Sequence, residues 1–373
     1  MRWPTPVMEW PRLPSDLRAK TGLPRRSARG AKVGAAAGHG DTPEDLGGHL
    51  TRRGFLAAVG AAVVAGACRR EPPPFDASSF AVPARSVVGL FAATSYGIEL
   101  ADVIFRGFQE LGVNVAGRRV VLKPNMVEYE PGTSINTHPH VVAGTAIACK
   151  RAGAAEVVVG EGPGHRRDIE YLLATTGLYN QLKDLDLRFV DLNHDDVRVV
   201  ALKSWFTGLR EVALPVELLR SDFVISLPKL KTHHWAGMTC SMKNLFGVVP
   251  GAVYGWPKNI LHMHGIARSI LDLTATVRPQ LTVVDAVTAM EGDGPIMGRP
   301  RPLGFIAMGA DLPAVDATCA RVIGLDPMKL AYLEPASHYL GNIDERRIEQ
   351  RGESLARYAT QFDLVPSLQF LRK

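Results

Sequence analysis

From about residue 86 onward, short apolar runs alternate with amphipathic stretches, and their two periods separate strands from helices. Unbroken runs rich in Val, Leu and Phe at 86–91, 119–122 and 156–159 read as strands buried on both faces. Between them, 97–111 and 139–152 repeat apolar positions at helical spacing, and the second stops at Gly153. Further strands are predicted at 187–190, 222–227, 281–284 and 304–308, and further helices at 264–277, 312–323 and 327–340. Strand-then-helix units of this kind build an α/β fold: an open, mostly parallel sheet with helices on both faces. Between Lys231 and Met263 the period fades and glycine recurs, which predicts a long irregular loop or lid.

The segment ahead of this domain has a different character. Thr51-Arg52-Arg53-Gly54-Phe55-Leu56 precedes an uncharged Ala/Gly/Val run over 57–67. Paired arginines, an apolar residue two places on and a stretch too short to span a bilayer form the pattern of a twin-arginine export signal. A buried helix start with two chance arginines is the alternative. Ala65-Gly66-Ala67 suits a small-x-small cleavage site, whereas Cys68 directly after it is a candidate lipid anchor, with 71–80 as its tether. The expected organisation is therefore a disordered leader extension over 1–50, the signal over 51–70, a linker over 71–84, the α/β domain over 85–345 and a C-terminal extension over 346–373. Export by this route places the protein in the periplasm or cell envelope, with the twin-arginine translocase as a partner and membrane attachment only through Cys68. The signal type also implies export in the folded state, which raises the expectation of a bound cofactor or metal.

Charge adds less than the total suggests. The formal net charge is +6, but residues 1–70 hold twelve Lys and Arg against five Asp and Glu, which leaves 31 basic and 32 acidic residues in the rest. No basic run is interleaved with aromatics there, so no nucleic-acid partner is expected. The four cysteines, Cys68, Cys149, Cys240 and Cys319, are too far apart for a local iron–sulfur or CxxC motif. The cofactor is thus unknown, and a metal stays open.

In an open α/β sheet, ligands sit beyond the carboxyl ends of the strands. The residues that follow predicted strands are Lys123, Asn125, Glu161, Lys229, Lys231, His233 and Asp285. Lys229, Lys231 and His233 are two apart, so an extended chain past Pro228 points all three to one side, where they repel unless an anion or carboxylates face them. A solvated edge is the plainer alternative. Lys243 and Asn244 add another lysine beside an amide, a combination that holds carboxylate or phosphate, and burial readily lowers a lysine pKa so that it serves as a base. His138 is either a ligand or a residue before a helix capped by Thr137. His233-His234 and His262-Met263-His264 lack acidic partners at a recognised metal spacing. The glycine-rich loop carrying Glu291 and Asp293 either brings backbone N–H groups to a ligand or makes a turn with two solvated carboxylates. Gly160 to Gly164 lacks the full dinucleotide fingerprint. Asp311 and Asp316 are explained by capping and the dipole of a helix start.

Taken in order, Lys123-Pro124-Asn125, Thr137-His138-Pro139, Glu161-Gly162, Lys229-Leu230-Lys231-Thr232-His233, Lys243-Asn244-Leu245-Phe246-Gly247, Asp285, Glu291-Gly292-Asp293-Gly294-Pro295 and Asp311 to Asp316 resemble the motifs of the DUF362 family over about 85–345. Many members carry a ferredoxin-type cysteine cluster that this chain lacks. The resemblance implies that these positions form one site. The expectation is an exported enzyme with an anionic small molecule or cofactor in its pocket. Lys231, His233, Lys243 and Asp285 are its candidate catalytic residues, and Lys123, Asn125, His138, Glu161, Lys229, Asn244, Glu291 and Asp293 its candidate ligand-binding residues. A non-catalytic envelope protein that binds a solute or metal, and an adaptor with an exposed apolar patch, are the competing expectations.

Overall fold

A computed structural model describes residues 72–97, 99–164 and 168–373; the expected leader extension and export signal, with Cys68, lie outside the described residues. Twelve strands are described: β1 (Ser86–Ala92), β2 (Arg119–Pro124), β3 (Glu156–Glu161), β4 (Arg188–Asp191), β5 (Val197–Ala201), β6 (Glu211–Pro215), β7 (Phe223–Leu227), β8 (Lys229–His233), β9 (Gly237–Thr239), β10 (Leu281–Glu291), β11 (Arg299–Gly309) and β12 (Ile348–Gly352). The main sheet runs β12-β1-β11-β10-β7-β2-β3-β4, with β8 on β10 and β9 on β8, while β5 and β6 form a separate antiparallel pair. From β10 to β4 every neighbour is parallel, and β11 runs antiparallel between β1 and β10.

The apolar runs explain the layers. Along β2, Val120 and Leu122 enter one core and Val121 the other; Val157, Val159 and Val158 repeat this on β3, and Phe223, Ile225 and Val224 on β7. Alternate side chains leave a strand on opposite faces, so a strand apolar at every position needs cover on both. Helices α1 (Leu100–Glu110), α2 (Pro139–Arg151) and α3 (Ile169–Thr176) cover one face through Ile104, Phe108, Val142 and Leu172. Helices α4 (Ile266–Val277) and α5 (Leu312–Val322) cover the other through Ile270, Leu273, Val315 and Cys319. No described helix is long and apolar enough to cross a membrane.

Several expectations shift. The stretch from Lys231 to Met263 is not a loose lid: it holds β8, β9, a 3-10 turn at Lys243–Val248 and short helices at Gly251–Tyr254 and Asn259–Met263. Its elements are too short to display a period, and much of it is buried because tertiary partners hold it. The helix expected at 327–340 is two short turns, Pro327–Lys329 and Leu333–Ala336. Thr137 does not cap α2. That cap is the His138 side chain, which accepts from His140 N, while Thr137 Oγ1 accepts from Asn125 N at 2.9 Å and donates to Leu227 O at 2.6 Å, tying the ends of β2 and β7. Asp311 does cap α5 through Ala314 N. The residues from Pro74 to Lys373 form one compact unit. Phe75, in the expected linker, stacks on Tyr339 at 4.1 Å, and β12, in the expected extension, pairs with β1 at the sheet edge.

Candidate functional site

The carboxyl ends of β2, β3 and β8 open into a cavity of about 440 Å³. Lys123 closes β2 and Glu161 closes β3, and their ammonium and carboxylate meet at 2.8 Å with both side chains almost wholly buried. Lys123 Nζ also donates to Pro124 O, Asn244 O and Asn244 Oδ1, while Glu161 accepts from Met126 N and Gly162 N. Asn244 turns its amide back to Lys123 O and Ser226 Oγ at 3.0 Å each, so one side chain bridges the ends of β2 and β7. The Lys-Asn-Leu-Phe-Gly segment ends on Gly247 for a steric reason: a Cβ there would collide with the Lys123 ammonium and the Glu161 carboxylate. The turn that presents this segment is anchored from behind by the buried Asp316, which accepts Ser241 N at 2.7 Å and Met242 N at 3.2 Å. Burial raises that carboxyl to about 6 against the pull of these donors.

Four lysines line the cavity, Lys123, Lys231, Lys243 and Lys258, and Glu161 is the one carboxylate among the described lining residues. Lys231 donates to Ile135 O at 2.7 Å and Pro295 O at 3.4 Å, and Lys258 to Gly247 O and Val249 O. Carbonyl oxygens solvate these ammonium groups without neutralising them. Burial pulls Lys123 and Lys231 below the ordinary lysine value, Lys231 furthest, with Lys243 and Lys229 adding repulsion. Burial also brings Lys243 and Lys258 to about 7. Lys243 differs from the others: its ammonium lies 3.7 Å over the Phe246 ring and makes no hydrogen bond to a described residue. His233 Nδ1 accepts from Trp235 N and Ala236 N, which leaves the proton on Nε2; burial, then Lys243, pushes the ring down to about 2, so it is neutral. Two buried side-chain oxygens on the lining, Asn125 Oδ1 and Thr239 Oγ1, have no hydrogen-bond partner among the described residues. A buried polar atom left this way is costly unless something else occupies the space beside it.

Of the candidate residues, Lys123, Asn125, Glu161, Lys231, His233, Lys243 and Asn244 therefore meet around one cavity. Five others do not line it. The β8–β10 register sets Lys229 opposite Asp285, and the carboxylate captures it at 2.6 Å. Tyr96 donates to Asp285 at 2.9 Å, His138 N does the same, and the His138 ring stacks on Tyr96. Lys229, Asp285 and His138 thus form a self-satisfied knot. Burial lowers Lys229 from its ordinary value against the pull of Asp285, and burial separately lowers the His138 ring to about 4. Glu291 binds Arg299 at 3.0 Å and accepts Asp363 N, and Asp293 pairs with His234 at 2.9 Å, behind a loop whose Pro295 and Met297 do reach the cavity. Among the described residues no three His, Cys, Asp or Glu groups gather as a metal site.

Lys258, Thr239, Trp235 and His262 also line the cavity and lay outside the sequence expectation. Lys258 holds φ at +69°, a left-handed conformation that costs a non-glycine residue roughly 1–2 kcal/mol. No periodic or motif context marked it.

The sequence profile described as Domain of unknown function (DUF362) matches residues 120–321 and so includes every lining residue. The chain belongs to this family. Over 220 residues it is 33% identical to the thylakoid-associated protein sll1697 of Synechocystis sp., covering 57% of this chain and 64% of that protein, so the chain spans less than two thirds of that relative. Among solved structures, DUF362 architecture here is partly similar to a Thermotoga maritima protein, with 12% identity, TM-score 0.34, and coverage of 59% of this chain and 57% of that one. It is likewise partly similar to the lactate racemase apoprotein of Thermoanaerobacterium thermosaccharolyticum, with 13% identity, TM-score 0.35, and coverage of 65% and 59%.

Proposed function

We propose that the cavity binds an anionic small molecule, substrate or cofactor, and that the protein is an enzyme acting on or with it. The observation that carries this reading is the charge imbalance: among the described residues, four lysines and a single carboxylate line one cavity. Uncompensated buried cations are costly, and a bound carboxylate or phosphate relieves that cost. The Asn125 and Thr239 oxygens, without a partner among the described residues, are available to hydroxyl or amide donors on the same ligand.

The side chains divide by commitment. Lys123, Glu161 and Asn244 are tied to one another and build the floor. Lys231 and Lys258 present their amino groups from positions fixed by carbonyl acceptors. Lys243 and Lys258 both lie near 7, and Lys243, without a hydrogen-bonded partner among the described residues, is the freer of the two to take up or release a proton beside the ligand. His233, neutral with Nε2–H, serves as a donor.

Phosphate and acetate, titrated by calorimetry, test the reading. Both are expected to bind, and Lys243→Ala and Lys231→Ala to abolish or strongly weaken binding; unchanged binding in both folded variants refutes it. Native mass spectrometry of the purified protein separates the classes. A natural ligand recovered unchanged after incubation identifies a binding protein, and its conversion identifies an enzyme.

The twin-arginine pattern at Arg52 and Arg53 supports, as part of this proposal, placement outside the cytoplasm, with the translocase as partner and Cys68 as the candidate anchor. Replacement of Arg52 and Arg53 by Lys is expected to retain the protein in the cytoplasm; unaltered export overturns this part.

A further inference from the structure

The rest of the cavity wall is of a different kind from the lysine floor. Trp235, Phe246, Pro257, Ile296 and Met297 all face the same space. Trp235 is 67% exposed and Met297 79%, so both stand at the mouth. Eight large apolar side chains are exposed among the described residues, and besides Trp235 and Met297 one more of them, Met263, directly follows His262, which also lines the cavity. Apolar groups gathered at the rim of a polar pocket mark a contact surface.

The rings form a connected series. Phe246, which carries the Lys243 ammonium on its face, meets His262 edge-on at 5.9 Å; His262 meets Trp235 edge-on at 5.8 Å; Trp235 meets His234 edge-on at 4.6 Å. This wall runs from the buried lysines to the exposed mouth. His233, neutral, adds no charge to it. The cavity volume of about 440 Å³ is many times the roughly 30 Å³ share of a water molecule and falls in the range of about 300–1,000 Å³ that takes a ligand of many atoms. A bare oxyanion would fill a small part of it and leave the ring wall wet.

We propose that the ligand is amphipathic: a carboxylate or phosphate head held by Lys231, Lys243 and Lys258, joined to a flat aryl body lying along Phe246 and Trp235 under Met297. Aryl faces and edges match such a wall better than flexible alkyl chains, because ring pairs gain from edge-to-face contact and lose little rotamer freedom. This inference rests on the anion-binding reading above and adds the class of molecule that carries the charge.

The test compares head groups with and without rings. Inorganic phosphate, phenyl phosphate and 2-naphthyl phosphate are titrated by calorimetry, with acetate and phenylacetate as the carboxylate series and tryptophan fluorescence read in parallel. The expected result is an affinity gain of about tenfold for the first ring, from its buried apolar area, a further gain for the second, and a fluorescence change on the aryl ligands that Trp235→Ala removes. In Trp235→Ala and Met297→Ala the ratio of phenyl phosphate to phosphate affinity should fall toward one; both positions are exposed, so the fold tolerates the change. Phosphate and acetate that bind as tightly as their aryl partners overturn this inference alone. Failure of every probe overturns it together with the anion-binding reading. Aryl ligands that bind where bare phosphate does not, with loss in Trp235→Ala, support it.

Discussion

Replacing Glu161 by Gln removes the carboxylate paired with Lys123 in the lysine floor while keeping its shape. In the native protein its Oε2 accepts from Lys123 Nζ at 2.8 Å and Met126 N at 3.1 Å, and Oε1 accepts from Gly162 N at 2.8 Å. A glutamine sets an N–H₂ group against one of these donors and leaves Lys123 buried without a counter-charge. Breaking a buried pair in this way costs about 3–5 kcal/mol, and the misplaced donor pushes the value to the upper part of that range. Urea unfolding of the purified protein at pH 7, followed by circular dichroism, measures the loss. Lys123→Met in the Glu161→Gln background removes the stranded charge, so the double variant should be more stable than the sum of the single losses by about 1–3 kcal/mol. A bound anion should restore part of the single variant's stability, by about 2.7 kcal/mol at a hundredfold excess over Kd. A loss below about 1 kcal/mol for Glu161→Gln, or strict additivity in the double variant, would refute the view that this pair holds the floor together.

The lysines also set a pH dependence. Lys243 and Lys258 lie near 7 in the folded protein, below the ordinary 10.5; between those values the unfolded chain binds more protons than the folded one, so stability without ligand should rise from pH 7 toward pH 10. Anion affinity should move the other way, weakening from pH 6 to pH 8 as these ammonium groups lose their protons, with proton uptake on binding seen by calorimetry in buffers of different ionisation enthalpy. Affinity that is flat over this range refutes the role of both lysines. In the neighbouring knot, Asp285→Asn should cost about 3–5 kcal/mol in urea unfolding, because it leaves Lys229 buried without its 2.6 Å partner; a loss under about 1 kcal/mol would show that Tyr96 Oη and Thr288 O, each of which accepts from Lys229 Nζ at 3.0 Å, suffice for that lysine.

Much of the architecture was legible in the residues themselves. The runs that became β1, β2, β3 and β7 are apolar at consecutive positions, and α1, α2, α4 and α5 repeat at helical spacing, because period and burial are local properties of the chain. The strand-end rule likewise placed Lys123, Glu161 and Lys231 near one opening, since a parallel sheet brings the same ends of its strands together. Short elements escaped: β8, β9 and the 3-10 turn at Lys243 carry too few residues for a period, and the turn is held by Asp316 on a distant helix.

What each lysine does was decided only by register and packing. Lys229 and Lys231 are two apart on one strand, yet pairing with β10 sets Asp285 against the first, while the second's acceptors among the described residues are carbonyl oxygens. Lys258 joins the site through a left-handed backbone held by contacts around Gly247 and Val249. The sequence supplied the cations and the strands that carry them; whether a buried charge is neutralised or left to attract a ligand depends on which distant carboxylate lies within a few ångströms, and that distance exists only in the folded chain.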